Sequence, residues 1–455
     1  MRWVPFAVVV LVASSVVAPL GTAAAQTQAP NPCVGTMEKT PDQRTLVSIQ
    51  GARVTPNGYH KKPAMLVSFR PNGSFEWTRN SSAHGRWWAY DVDPLPNGDL
   101  LFATTEGGDS VIGRLDPEEN EYVWKKRFGG APDSERTPQV TDAHDADLIN
   151  GDELLIADKG EGHERLLVYN LTRDRVVWEW RFENHPERFP ADQGGPAHDW
   201  THVNDVEKVG DDWFMASVRN FDQVVFVNRT TREVELTLGD PHDHSILHRQ
   251  HNPDYLRGPN GEHTVLVADS LNDRVVEYEY DGGEWKRVWA ARGFDEPRDA
   301  DRLPNGNTLV VDRMGHRTVE ITPSGKVVWE VYTPYEPYDV ERGQDESQGP
   351  TMAEVGVSGT VRAHNQARFT TSDVEACAQA MFSFAPSKID AVVADITGED
   401  VHEGSNGDTG GESNGDGGAT DSDGSTGSFP MGAAVVGLTV ALVVVAVAVY
   451  RRRER

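Results

Sequence analysis

A turn motif built on Asn-Gly recurs along this chain between apolar runs. Three clear copies and two weaker ones occupy residues 95–101, 148–155, 303–310, 209–212 and 259–262. Asn-Gly at such a point is a strong hairpin signal, because both turn residues accept positive φ. The chain is therefore expected to fold as a series of similar hairpin units.

A second mark follows each turn, namely an apolar strand that ends near a tryptophan. The six positions, with one leucine among them and spacings of 40 to 58 residues, are Trp77, Trp124, Trp178, Leu236, Trp289 and Trp329. Each unit has room for four short strands, and no long helical periodicity separates the units. The six units between Val54 and Val331 therefore predict an all-β fold, a six-bladed β-propeller.

The stretch after the last unit has two interpretations. Residues 351–397 could supply a seventh blade. The pattern from Ser372 to Phe384 favours a helix instead, with Ser372 or Asp373 as N-cap and Val374, Ala378 and Met381 on one side. The helix keeps the expected number of blades at six.

Polar side chains repeat just before the hairpins. In a propeller this point begins the innermost strand of a blade, so these residues converge on the central axis. Three consecutive units carry His144, His202 and His251 there, and the next carries Arg298. One such histidine could serve only a structural hydrogen bond, whereas three at one repeat position indicate a shared site.

The residue types of this axial site limit its chemistry. Histidine can act as a nucleophile, as an acid or base near neutral pH, or as a metal ligand. Arginine offers a planar fork of donors to a tetrahedral oxyanion such as sulfate or phosphate. No Ser-centred elbow or Gly-rich phosphate loop accompanies them. A second histidine-dense stretch, with His242, His244 and His248, lies in a long connection that could also bind metal.

A series of short motifs, in order, resembles the arylsulfotransferases of the bacterial periplasm. They lie within about 140–331, at residues 199–205 (DWTHVND), 217–220 (SVRN), 250–251 (QH), 274–278 (RVVEY), 303–308 (LPNGNT) and 327–330 (VVWE). The resemblance implies a six-bladed propeller that moves a sulfuryl group from one phenol to another through a sulfohistidine intermediate. It implies no nucleotide or other cofactor.

Residue by residue, the resemblance implies a catalytic set. The nucleophile falls on His251, the assisting histidines on His144 and His202, and the arginine on Arg219 rather than on Arg298. The expected substrate-binding residues are Trp200, Asn204, Asn252 and Arg298. For aromatic walls around a phenol, the candidates are Trp87, Trp88 and Trp200, for which packing is the alternative role.

Two other classes of protein stay open. One is a metal-dependent propeller hydrolase that uses histidine, aspartate and asparagine of the axial ring as ligands. The other is a non-catalytic surface module that binds a sulfated or phenolic ligand. The expected partners are small-molecule phenols and aryl sulfates.

The two ends of the chain predict export and a membrane tether. An apolar run follows Arg2 and ends in small residues, as in a cleavable signal, and Phe429 to Tyr450 carries no charge and is followed by arginines. The predicted segments are a signal peptide (1–25), an N-terminal segment (26–53), the propeller (54–335), a closing segment with a short helix (336–397), an acidic disordered stalk (398–428), a transmembrane helix (429–450) and a cytoplasmic tail (451–455). The propeller is therefore expected on the outer face of the cell membrane.

The charge balance is strongly acidic. The formal net charge is -28, and only 10 of the 43 basic residues are lysine. Such a surface stays hydrated in concentrated salt, which screens its self-repulsion, so the sequence indicates a hypersaline, extracellular setting. The same excess argues against a nucleic-acid partner, which requires Lys and Arg to neutralise phosphates.

Two modifications suit an extracellular protein. Cys33 and Cys377 flank the repeats and could form one disulfide that joins the two ends. The N-glycosylation pattern occurs at Asn80, Asn170 and Asn228, and the last two lie in predicted outer turns.

Overall fold

The computed structural model describes residues 31–382, except 56–57, 81–85, 120, 130–137, 161 and 344–348. The predicted signal peptide, stalk, transmembrane helix and tail lie outside these residues. Within the described ranges, no helix is long and apolar enough to cross a membrane.

The described chain consists almost entirely of short strands. The first fourteen are β1 (Val34–Met37), β2 (Thr45–Ile49), β3 (Ala52–Thr55), β4 (Gly58–Lys61), β5 (Met65–Phe69), β6 (Phe75–Asn80), β7 (Arg86–Pro94), β8 (Leu100–Glu106), β9 (Asp109–Asp116), β10 (Glu121–Phe128), β11 (Ala143–Ile149), β12 (Glu153–Asp158), β13 (Arg165–Asn170) and β14 (Arg175–Arg181). The others are β15 (Val203–Val209), β16 (Trp213–Val218), β17 (Gln223–Asn228), β18 (Val234–Gly239), β19 (His251–Arg257), β20 (His263–Asp269), β21 (Arg274–Asp281), β22 (Glu284–Arg292), β23 (Pro297–Arg302), β24 (Thr308–Asp312), β25 (Arg317–Ile321), β26 (Val327–Tyr332), β27 (Pro337–Arg342) and β28 (Gly359–Arg362). Two α-helices, α1 (Met352–Val355) and α2 (Thr371–Phe382), follow the last blade.

These strands form six blades, which confirms the predicted six-bladed β-propeller. From the axis outward the sheets run β27-β2-β5-β6, β7-β8-β9-β10, β11-β12-β13-β14, β15-β16-β17-β18, β19-β20-β21-β22 and β23-β24-β25-β26. Each innermost strand contacts the innermost strand of the next blade, so β7, β11, β15, β19, β23 and β27 close a ring. The recurring tryptophans lie on the outermost strands, where they pack between blades.

The two ends of the described chain close the propeller. Strand β27 comes last in the chain but forms the innermost strand of the first blade, paired with β2. Strand β1 joins the outer edge of the last blade, paired with β26. The blades therefore extend beyond the predicted 54–335 at both ends. The first sequence unit is irregular because its inner strand is supplied from the other end and because the hairpin β3–β4 is inserted into it.

The segment after β27 does not build a seventh blade. Strand β28 instead adds to the outer edge of the fifth blade, parallel to β22. Helix α2 begins at Thr371 and is capped by Thr370, not by Ser372 or Asp373. The Thr370 hydroxyl accepts from the Asp373 N–H, and the Asp373 carboxylate accepts from the Thr370 N–H, as in a capping box.

The disulfide between Cys33 and Cys377 is present, as predicted. It joins the segment before β1 to helix α2. Around it, Ala378 and Met381 of the helix are buried in one core with residues of the first and last blades. The bridge thus holds both ends of the described chain at the junction where the ring closes.

The two Leu-Pro-Asn-Gly turns differ from the predicted hairpin turn. Only the glycines, Gly98 and Gly306, have positive φ, and their N–H groups donate to Leu95 and Leu303. Proline fixes φ near -65°, so the turn starts as type I and glycine takes the left-handed position after it. In the turn without proline, Asn150 and Gly151 both have positive φ, as expected.

The three glycosylation motifs differ in accessibility. Asn170 is only 4% exposed, and its amide nitrogen donates to Asp152 Oδ1, which leaves no room for a sugar. The prediction that Asn170 lies exposed in an outer turn is therefore wrong, because Asn170 ends strand β13 and its side chain is buried. Asn80 and Asn228 are partly exposed.

Acidic side chains tie the inner strands to one another around the whole ring. At each of the six blade junctions a carboxylate accepts a backbone N–H of the next inner strand. The donors and acceptors are Val92 to Asp339, Ala146 to Asp91, Val206 to Asp145, Lys208 to Asp147, Tyr255 to Glu207, Arg302 to Asp254, and Val340 to Asp299. These acids, with Asp93, Asp205, Asp301 and Glu341, line the channel along the axis, called here the acidic channel.

Candidate functional site

One residue from each inner strand, or from the position just before it, contributes to a ring of buried side chains at one end of the acidic channel. The axial ring consists of Tyr90, His144, His202, His251, Arg298 and Tyr338, all less than 9% exposed. Neighbouring members touch: Tyr90 stacks on His144 with centroids 4.1 Å apart, and His144 meets His202 edge to face at 5.1 Å. The repeat position thus brings the three histidines and Arg298 together.

The hydrogen bonds of His251 define which ring nitrogen carries the proton. The Ser270 hydroxyl donates its only proton to the Pro297 carbonyl at 2.6 Å. Its oxygen therefore accepts from Nδ1–H of His251, 2.9 Å away, and the Arg249 carbonyl lies 3.1 Å from the same nitrogen. The proton is held at Nδ1, and the lone pair at Nε2 accepts from Arg298 Nη1, an atom that also lies 3.0 Å from Nδ1.

The surroundings of His251 also keep its ring neutral. Burial, followed by the charges of Arg298 and Arg219, lowers the pKa of His251 well below its usual value. Burial and the nearby Arg313 and Arg219 lower the pKa of Arg298 to about 10, so the guanidinium keeps its charge at neutral pH. A neutral imidazole beside fixed positive charge is suited to attack an anionic electrophile.

Arg219 approaches the ring from outside the inner strands. It opens a short 3-10 helix, Arg219–Phe221, after β16, and it is 3% exposed. Its Nη1 lies 3.5 Å from His202 Nδ1 and donates to Asn220 Oδ1 at 3.0 Å. The repeat position pointed to Arg298 and the family resemblance to Arg219, and the structure places both guanidinium groups at the ring.

Two aspartates, Asp199 and Asp142, accept hydrogen bonds from the two other histidines. His202 Nδ1 lies 2.6 Å from Asp199 Oδ1, and His144 Nδ1 lies 3.0 Å from the Asp142 carbonyl. The buried Lys159 ammonium bridges the two acids, at 3.1 Å from Asp142 and 3.4 Å from Asp199. The carboxylate of Asp199 thus lies directly on Nδ1 of His202, whereas the Asp142 carboxylate is 3.9 Å from Nδ1 of His144.

Two tyrosines of the ring were not predicted. Tyr338 is 2% exposed and meets His251 edge to face at 6.1 Å, while its hydroxyl finds no partner among the described residues. Tyr90 donates to Asp142 at 2.7 Å, and Trp88 stacks on Tyr90. Tyrosine at the repeat position just before Asp91 and Asp339 is the signal that could have identified them.

The expected substrate-binding residues have different surroundings. Asn204 is fully buried and donates to the Gln250 carbonyl of the next blade, and Asn252 lines the acidic channel. Trp200 donates to the Pro190 carbonyl and lines a separate pocket with Phe189. Of this set, the structure brings only Arg298 into contact with a ring histidine, and the Trp87 side chain lies outside the described residues.

The fold and the ring define a class: a six-bladed β-propeller with a buried axial site of histidines and arginines. A family model described as Arylsulfotransferase (ASST) matches residues 88–252. This segment contains His144, His202, Arg219 and His251 but not Arg298 or Tyr338. That part of the chain is therefore similar to the arylsulfotransferase family.

Other comparisons add no functional argument. No curated protein matches the chain. Solved structures that resemble it include a protein of unknown function from Bacteroides caccae (14% identity, 72% of this chain and 99% of that one, TM-score 0.44). A putative 6-phosphogluconolactonase from Bacteroides uniformis has 13% identity over 66% of this chain and 99% of that one, with a TM-score of 0.42. At these values the likenesses support no conclusion about this chain.

Proposed function

We propose that this protein transfers a sulfuryl group from a phenolic sulfate ester to another phenol, through a sulfohistidine formed on His251. The observation that carries the proposal is the hydrogen-bond chain from His251 Nδ1 through Ser270 to the Pro297 carbonyl. It leaves the Nε2 lone pair facing positive charge inside a buried site. An imidazole held in this way is a nucleophile for an anion and needs no separate base to activate it.

In the first proposed step, Nε2 of His251 attacks the sulfur of the aryl sulfate. The new N–S bond forms as the bond from sulfur to the aryl oxygen breaks, and the phenolate leaves with that electron pair. His202, protonated beside Asp199, gives the phenolate its proton. Phenols have a pKa of about 10, so they are fair leaving groups even before protonation is complete.

In the second step, an acceptor phenol attacks the sulfur of the sulfohistidine. Its proton passes to His202, the new S–O bond forms, and the N–S electron pair returns to Nε2. Both histidines then stand as they began, and the net reaction exchanges one phenol for another. The mechanism needs no nucleotide, metal or redox partner to balance.

Arg219 and Arg298 are proposed to hold the sulfuryl oxygens. Their guanidinium groups are both buried and flank His251 and His202, and both lower the pKa of His251. Preorganised donors of this kind stabilise charge that develops in the transition state without reorganisation of water. The stacked rings of Trp88, Tyr90 and His144 offer an aromatic surface to the phenol.

The proposal includes the cellular setting expected from the ends of the chain. An exported, tethered propeller in concentrated salt would work where nucleotide sulfate donors are scarce. A reaction that takes its sulfuryl group from another phenol suits that location.

The test uses the full-length chain in detergent and high salt. The donor is 4-nitrophenyl sulfate, the acceptor is phenol, and release of nitrophenolate is followed by absorbance. We expect His251→Ala to lower the transfer rate by about 10³-fold or more, since loss of a covalent nucleophile has effects of that order. Mass spectrometry of the protein quenched with donor alone should find the added sulfuryl group on the peptide that contains His251.

The matched control is His364→Ala, because His364 is an exposed histidine far along the chain from the ring and should keep full activity. Transfer that persists in His251→Ala would contradict the proposal. Sulfate released to water without acceptor, and abolished by a chelator, would favour the metal-dependent hydrolase. No turnover of any aryl sulfate by the wild-type chain would favour a binding module.

A further inference from the structure

Three side chains with metal-binding atoms meet outside the axial ring. Asp222, His244 and His248 each bring one ligand atom to within 4.8 Å of the others. His244 Nδ1 lies 2.8 Å from Asp222 Oδ2, and the two imidazole rings have centroids 4.2 Å apart. The aspartate follows the short helix of Arg219, while both histidines lie in the connection from β18 to β19.

The backbone around the two histidines is held in place. Asn272 donates its amide to the His244 carbonyl at 2.8 Å, and the His248 N–H donates to the fully buried Asp269 at 2.7 Å. Between them Leu247 is fully buried in the core. This connection therefore presents its imidazoles from a supported backbone, as a preorganised ligand set requires.

The aspartate is oriented as well. Asp222 is 4% exposed, and its Oδ1 accepts the Arg249 N–H at 2.6 Å, which leaves Oδ2 directed at His244. A hydrogen bond from the other carboxylate oxygen is the kind of second contact that orients a metal ligand. A simple His–Asp hydrogen bond would explain the 2.8 Å pair but not the approach of His248 to the same point.

We propose that Asp222, His244 and His248 bind one divalent transition-metal ion of the zinc type, with a further position open to solvent. Two imidazoles and one carboxylate are a ligand set that zinc accepts, with bonds of about 2.0–2.2 Å. Bonds of that length require the three ligand atoms to lie about 3.3 Å apart in a tetrahedral arrangement. The side chain of His244 is 58% exposed and can make the small adjustment from the observed distances.

The ion would join two segments that serve the axial ring. Asp222 comes three residues after Arg219, and its N–H donates to the Arg219 carbonyl. The histidine connection leads into Arg249, whose carbonyl contacts His251 Nδ1, and Arg249 Nη1 donates to Asn220 Oδ1 at 2.9 Å. Metal binding at this site would therefore tie the Arg219 turn to the segment that precedes His251.

The experiment measures metal binding and not transfer, so its result is independent of the proposed function. The full-length chain is freed of metal with a chelator, dialysed, and titrated with Co²⁺ and then Zn²⁺. We expect one equivalent of Co²⁺ to produce the visible absorption of a low-coordinate nitrogen and oxygen site, and Zn²⁺ to displace it. Loss of a residue that only supports a metal ligand costs up to about 100-fold in metal affinity. His244→Ala and His248→Ala remove proposed ligands, so each should weaken Zn²⁺ binding by at least that factor.

His242→Ala is the matched control, since His242 is exposed in the same connection but outside the group, and it should bind Zn²⁺ like the wild type. Because His244 is largely exposed, its variant should also keep the wild-type thermal unfolding midpoint in the absence of metal. Absence of a one-to-one Co²⁺ complex would overturn the proposal. So would equal losses of affinity in all three histidine variants, which would indicate scattered surface binding.

Discussion

The axial ring and the acidic channel lie on the same inner strands, next to one another, yet their electrostatics are opposite. At the ring, burial and arginine charge lower the pKa of His251 and Arg298. One residue further along, burial and mutual repulsion raise the pKa of Asp299, and burial raises that of Asp339 to about 7. Successive residues of the same inner strands thus place buried histidine and arginine side chains in the ring and carboxylates in the channel.

The difference in charge indicates separate roles for the axial ring and the acidic channel. The ring residues contact one another through their side chains, as Nε2 of His251 contacts Arg298. Seven of the channel acids instead accept hydrogen bonds from backbone N–H groups of the neighbouring blade, and these hydrogen bonds hold adjacent blades together. We therefore expect changes in the ring to alter catalysis and changes in the channel to alter stability.

Apart from loss of the proposed nucleophile, the largest effect is expected from Arg298→Ala in the ring. Loss of one preorganised oxyanion donor costs about 10²–10³-fold in kcat. The pKa of His251 should rise at the same time, because Arg298 is the largest charged cause of its depression. The pH profile of kcat/KM should show its acidic limb moved to higher pH, a shift that a merely structural defect would not produce.

Arg298→Lys is the control that separates the effect of the positive charge from the effect of the planar guanidinium geometry. Lysine retains the positive charge but not the planar fork, so it should restore the position of the acidic limb more than it restores kcat. An Arg298→Ala protein with wild-type kcat and pH profile would remove Arg298 from the proposed mechanism.

A smaller effect, on stability alone, is expected from Asp299→Ala in the channel. This change leaves the buried Val340 N–H without its acceptor, which Asp299 Oδ2 supplies at 3.0 Å. The expected loss is about 1–3 kcal/mol in the free energy of unfolding, measured by urea denaturation at constant salt. Asp299→Asn keeps an acceptor and removes a repelled charge, so it should cost less than Asp299→Ala; equal losses would contradict the proposed tie between blades.

The smallest effect is the pH dependence of stability that Asp339 contributes. Its pKa is about 7 in the folded chain and near 3.8 in the unfolded chain, so the folded chain holds the proton more tightly. The protonated carboxyl therefore stabilises the fold at low pH, and this stabilisation is lost as pH rises through 7. Between pH 6 and pH 8 this amounts to about 1 kcal/mol. Urea midpoints across that range should fall with pH in the wild type and fall less in Asp339→Asn. The same slope in both proteins would show that another group titrates.

The six blades and most residues of the axial ring could be predicted from the sequence. The hairpin turns and the recurring tryptophans are local patterns, so they indicated six blades before any contact was known. Because one repeat position maps to one place on the axis, His144, His202, His251 and Arg298 could be assigned to a common site. The turn type at Pro96 and Pro304 is also a local property, because proline fixes φ at the start of the turn.

What could not be predicted depends on contacts between distant residues. The role of β27 was hidden because the strand lies at the far end of the chain from the blade that it completes. Tyr338 was missed for the same reason. Asp222 and His244 belong to different connections, and nothing in their spacing indicates that they meet.

The sequence by itself determined the number of blades, the axial histidines and the pair of cysteines that bridge the ends, because repetition and turn chemistry are local properties. The tertiary structure decided how the ring closes and how the acids of one blade bind the next. It also decided that Arg298 and Arg219 both reach the histidines and that Ser270 holds the proton of His251 at Nδ1. These depend on distances across the ring, which only the folded chain establishes.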